Sequence, residues 1–183
     1  MLKLKSVAWF GALALLVLPL AAEEGAKAAD KRARLDAVAE ETLGELLSES
    51  EGAKRLYDSA YGYAVFSNIK ISLGVTGGGG NGVAIAKGGA RTYMKMGTAG
   101  LNLGLGGQKY QVVFLFENAK VFENFVEKGW QADASANASA GKAGANAGTS
   151  FSNGLAVYQI TDKGLMLQAD ISGTKYWKNK KLN

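Results

Sequence analysis

Apolar and polar residues alternate along this chain with two different periods, and the change falls near residue 60. Upstream, Leu35, Val38, Ala39, Thr42, Leu43, Leu46 and Leu47 recur at i, i+3, i+4, i+7, i+8, i+11 and i+12. That spacing lines one stripe of a helix over residues 31–47. Its outward face is mainly acidic after Arg34, which suits docking on a core better than lying on a membrane, where Lys and Arg are favoured. Ser48 and Glu51 have the spacing of a capping box. Ala53, Leu56, Tyr57 and Ala60 then predict a second, shorter helix over about residues 50–60.

Downstream the period becomes two. Residues 61–66, 69–75, 83–86, 91–96, 101–105 and 111–116 read as strands separated by glycine or Asn-Gly signals. In 69–75, Ile69, Ile71, Leu73 and Val75 are apolar while Lys70, Ser72 and Gly74 are polar or small, the pattern of a half-buried strand. Asn118 is placed to cap a third helix, with Val121, Phe122, Phe125 and Val126 on its inner face and Gly129 as the stop. Sixteen of the twenty residues in 131–150 are Ala, Gly, Ser or Asn, and the alternation through Ala132, Ala134, Ala136, Ala138 and Ala140 predicts a strand with a small-residue face. Two last strands, 155–161 and 165–171, flank the turn Asp162-Lys163-Gly164.

Strands dominating after helices, with no βαβ alternation, predict an antiparallel α+β domain. Its N-terminal helices pack on a strongly curved, glycine-rich sheet, with enough curvature to close a barrel-like body. Gly77, Gly79 and Gly82 do satisfy G-x-G-x-x-G, but a dinucleotide site needs a helix to open there, and Val83-Ala84-Ile85-Ala86 continues as strand. The glycines therefore read as scaffold, allowing backbone bending and close approach.

The chain has no Cys and no His, which removes the usual nucleophile-base pairs and zinc sites. No pair of carboxylates stands out as acid and base, so no catalytic residue, metal or cofactor is nominated. Asp133, Ser135, Asn137 and Ser139 alternate like calcium ligands, yet Ala138 and Gly144 stand where an EF-hand needs Gly and Glu.

Residues 1–22 have the layout of a secretory signal peptide: Lys3 and Lys5, an apolar run from Val7 to Leu20, then Ala21-Ala22. The expected organisation is this leader, a polar lead-in over 23–34 and one domain over 35–183. An exported protein of the periplasm or cell envelope, or a secreted one, follows as the expected location. Without the leader the formal charge falls from +5 to +3, with 19 Lys+Arg against 16 Asp+Glu. That balance permits contact with anionic surfaces, and no arginine-rich run argues for nucleic acid.

At the C-terminal end, Lys175, Tyr176, Trp177, Lys178, Lys180 and Lys181 join aromatic rings to clustered positive charge. That pairing suits a membrane surface, with the rings at headgroup level and the lysines facing anionic lipid. The plainer alternative is that Tyr176 and Trp177 plug the core and the lysines keep the tail soluble.

Several strings together resemble the SYLF domain family: Ala60-Tyr61-Gly62-Tyr63-Ala64-Val65-Phe66, the glycine block through Gly82, Gly104-Leu105-Gly106-Gly107-Gln108, Gly129-Trp130 with Asp133-Ala134-Ser135-Ala136, Gly164-Leu165, and Ile171-Ser172-Gly173-Thr174-Lys175. The resemblance runs over about residues 43–178. It departs at Ser67, where many relatives carry proline, and in having no lipobox cysteine for a covalent anchor. Bacterial members are exported or lipid-anchored envelope proteins; eukaryotic members bind phosphoinositide membranes, and in fungi act on actin. The resemblance implies a lipid-binding module and not an enzyme. The expected function is binding of anionic phospholipid at a membrane surface, and the alternative is a structural or protein-binding periplasmic module that pairs through sheet edges.

Overall fold

The computed structural model describes residues 18–132, 150–162, 164–166 and 173–183, and for 18–22, 73–75, 101–105 and 166 the backbone path alone. Residues 1–17 of the expected leader over 1–22, the alanine-rich segment 133–149 with its calcium-like run, and most of the last predicted strand, 167–171, lie outside the described residues.

The six expected strands between 61 and 116 merge into two. β1 (Gly62–Ala86) and β2 (Arg91–Phe116) form one long antiparallel hairpin, paired from Gly62 opposite Phe116 to Ile85 opposite Arg91. The glycines do not interrupt the ladder. Gly77 to Gly80 pair with Ala99 to Met96, and none of the glycines from Gly77 to Gly82 has a positive φ. They serve by lacking a Cβ.

A Cβ placed on Gly78 would lie 2.7 Å from the carbonyl oxygen of Ile69, and one on Gly62 would lie 2.7 Å from that of Ile85. On Gly80 it would strike the Ser67 carbonyl, and on Gly82 the Val65 carbonyl and the Phe66 ring. The second half of β1 is thus laid backbone to backbone against the first half, which only α-carbons without a Cβ permit. The ladder register shifts between Leu73 and Val75, where the hairpin turns over on itself.

Four shorter strands join the sheet among the described residues: β3 (Trp130–Gln131), β4 (Leu155–Thr161), β5 (Gly164–Met166) and β6 (Thr174–Lys178). β4 pairs the end of β2 and β6 its beginning; β5 continues from β4 and β3 from β6, all antiparallel. The α+β class is as expected. Closure into a barrel is not: the sheet is open, and β1 takes β2 as its hydrogen-bonded neighbour among the described strands. Its two halves meet through glycine contacts instead of a ladder.

Folding the hairpin gives its two faces different cores. Inside the fold, Ala64, Phe66, Phe114 and Phe116 from one half meet Ala84, Met94 and Met96 from the other. Helix α3 (Ala119–Lys128) closes that space with Phe122, Phe125 and Val126. The outer face, carrying Val65, Val83, Ile85, Tyr93, Val113 and Leu115, is covered by Ala39 and Leu46 of α1 (Leu18–Glu49) and by Ala53 and Leu56 of α2 (Glu51–Ser59). Strand period two thus assigns even positions to one core and odd positions to the other.

The stripe predicted for α1 is the one it buries, through Ala39, Thr42, Leu43 and Leu46. The helix starts earlier than its pattern implied and takes in residues 23–34. The cap of α2 is Ser50, whose side chain accepts the Ala53 amide at 3.1 Å. Ser48 is no cap: its hydroxyl donates to the Glu45 carbonyl at 2.8 Å, inside α1. Asn118 caps α3 as expected, accepting the Val121 amide at 3.1 Å, and Gly129 ends it at φ 75°.

Candidate functional site

The six tail residues divide by strand alternation. In β6, Thr174 and Tyr176 point inward while Lys175 and Trp177 point out. Tyr176 is 2% exposed, with ring centroids 4.7 Å from Phe66 and 5.0 Å from Phe114. Burial, then the neighbouring Tyr110, pushes its hydroxyl well above the ordinary tyrosine range. The expectation that Tyr176 meets lipid is therefore corrected: it plugs the core, because its position in β6 faces the folded interior.

Trp177 is 43% exposed and lies over Gly97, where an added Cβ would come 3.2 Å from the ring. Lys95 stands opposite Trp177 across the β2–β6 ladder, and exposed Lys175 stands opposite Gly97. Lys178 belongs elsewhere: its ammonium pairs with Glu127 of α3 at 2.7 Å.

Lys180 and Lys181 are exposed on a turn that the structure holds firmly in place. The Asn179 amide donates to the Tyr93 carbonyl at 2.9 Å, and the Asn183 side chain bonds both the amide and the carbonyl of Tyr93. Leu182 enters the core beneath α1, and Arg32 donates to its carbonyl at 3.1 Å. The tail lysines are carried on the α1 side of the sheet.

That same side holds residues the sequence pattern placed wrongly. Ile69 and Ile71, read as half-buried, are 51% and 53% exposed, and with Trp177 they are the exposed large hydrophobics among the described residues. Alternation puts Ser67, Ile69 and Ile71 on the face of Val65, past the point where α1 covers it. One signal was available: the partner stretch Gly106-Gly107-Gln108-Lys109 offers no apolar residue to cover them.

Between α1 and β1 lies a groove of about 520 Å³, lined by Lys31, Arg34, Leu35, Val38, Ser67 and Asn81, with Asp30 at its rim. Arg34 and Asp30 form an exposed ion pair at 2.8 Å. Asn81 pairs with Lys95 across the hairpin, and Lys95 with Trp177, so one row of residues joins groove to tail. No helix among the described residues is long and apolar enough to cross a membrane, which leaves strands aside.

The chain is thus a glycine-packed α+β domain whose outer face carries exposed Ile69, Ile71 and Trp177 together with Lys175, Lys180 and Lys181. Residues 97–183 match the Ysc84 family model, described as "Las17-binding protein actin regulator". Beta cell expansion factor A of Aeromonas veronii is 46% identical to this chain over 156 residues, covering 85% of the chain and 60% of that relative. The resemblance to the SYLF domain family is thus supported by a family-model match over residues 97–183 and, over most of the chain, by likeness to a bacterial relative of which the chain spans 60%.

Proposed function

We propose that this protein is a non-enzymatic binding module that associates with anionic phospholipid surfaces at the cell envelope, to which the leader-like residues 1–22 direct it. The family supports membrane binding in general. The observation that carries the reading is Trp177, held over Gly97 with Lys95 and Lys175 beside it. An exposed indole flanked by cations suits the headgroup layer, where amphipathic rings settle and lysines face negative lipid.

Vesicle flotation tests it. The protein should float with phosphatidylglycerol or cardiolipin vesicles at low salt and stay behind with phosphatidylcholine alone. Absence of flotation with either anionic lipid sinks the reading.

A further inference from the structure

We propose that the lipid contact is centred on the outer face of β1: Ile69 and Ile71 enter the apolar edge of the bilayer while the α1–β1 groove receives a phosphate headgroup. This inference rests on the membrane reading above and names the site that carries it.

The two isoleucines are more than half exposed, although strand positions of their type normally find cover. Across the ladder Ile69 faces Lys109 and Ile71 faces Gly107, so their ladder partners supply charge and bare backbone beside them. An apolar pair with a lysine beside it is complementary to a surface that is negative outside and apolar beneath. Ser67 continues the same face into the groove, about 7 Å along the strand at two residues' rise. There Lys31 and Arg34 supply positive charge, and Ser67 and Asn81 supply neutral donors.

The groove's volume of about 520 Å³ falls within the 300–1,000 Å³ typical of small-molecule sites. Asp30 lines the same groove and pairs with Arg34, but both side chains are well exposed, and such a pair is weakly held. A phosphate can therefore take the guanidinium in its place. Trp177 lies at the far end of the Asn81, Lys95, Trp177 row, so the isoleucines, the groove and the tail engage one flat surface together.

The absence of cysteine makes a site-specific test clean. Single variants Ile71→Cys and Glu123→Cys, the latter on the exposed side of α3, are each labelled with an environment-sensitive dye and mixed with phosphatidylglycerol-rich vesicles. The label at 71 should shift to the blue and be quenched by brominated acyl chains, and the label at 123 should do neither. The double variant Ile69→Ser with Ile71→Ser should keep its circular dichroism spectrum and lose about tenfold or more in vesicle partitioning, given the apolar area withdrawn. Lys31→Gln with Arg34→Gln should reduce the preference for anionic over zwitterionic vesicles.

If wild-type protein floats while the label at 71 stays unchanged, this site is wrong and the membrane reading stands. If wild-type protein does not float, both fall. An equal dye shift with inorganic phosphate alone would mean a free-anion site, and a shift on concentrating the protein without vesicles would mean a second copy; either overturns the proposal.

Discussion

At Gly80 the hydrogen that replaces a side chain faces the carbonyl of Ser67, whereas at Gly79 the nearest atom to an added Cβ is the Met96 oxygen at 3.6 Å. Gly80→Ala should therefore cost about 1–3 kcal/mol as an overpacked contact against backbone that cannot yield. Gly79→Ala should be neutral or stabilising by about 0.5–1 kcal/mol, since alanine loses less backbone entropy than glycine. Urea midpoints of the two variants measure the contrast. A second residue-scale test uses Tyr158, whose buried hydroxyl has no hydrogen-bond partner among the described residues and whose pKa burial pushes up to about 12. The folded pKa is raised above the unfolded value, so the stability it protects is intact below pH 10 and is lost as pH rises towards 12. That window is worth about 3 kcal/mol for two pH units. Tyr158→Phe should remove its share of the alkaline slope in thermal melts recorded from pH 9 to 12, at little cost near neutrality.

Among the elements, the ends of α3 were legible in the sequence, while the start of α1 and the strand lengths were not. Asn118 and Gly129 bound α3 where their chemistry placed them, because capping is a local exchange between a side chain and the nearest free amides. The two serines near residue 50 show the limit of that logic. Spacing favoured Ser48 with Glu51, but α1 runs on to Glu49 and leaves Ser50 at the start of α2. Ser50→Ala and Asn118→Ala should each lower stability by about 1 kcal/mol, with Ser48→Ala near zero, as read by thermal or urea unfolding. Strand lengths escaped because glycine ordinarily marks a break, while in β1 it allows one half of a strand to lie against the other. Nothing within a short window reports which backbone will arrive opposite Gly78.

At the scale of the molecule, folding the hairpin over leaves, among the described residues, an exposed apolar face. α1 covers the outer sheet at Val65, Val83 and Tyr93, and leaves Ile69, Ile71 and Trp177 open, with Leu182 holding the basic tail beside the helix. On the proposed reading, charge attracts this face and apolar side chains retain it. Lys175→Gln, Lys180→Gln and Lys181→Gln together should weaken binding to anionic vesicles about a hundredfold at low salt, at about 1 kcal/mol per lysine. The variant and the wild type should converge as salt shortens the screening length. Flotation across a salt series gives both curves. Lys178→Gln should change little, since its charge is engaged by Glu127.

Period and composition alone specified the α+β class, the stripes that α1 and α3 bury, the inventory of basic and aromatic residues at the C-terminal end, and the absence of His and Cys chemistry. Those are properties of neighbours along the chain. Tertiary structure decided which of the tail residues face solvent: alternation in β6 turned Tyr176 into the core and Trp177 out, but which side was in depended on β6 joining the edge of β2. It also decided that Ile69 and Ile71 are exposed, because cover comes from a helix that ends at Glu49, well upstream of them, and crosses the sheet elsewhere. The glycine block lies between these cases. Its composition announced close packing, and only the folded hairpin supplied the partner, the strand's own first half.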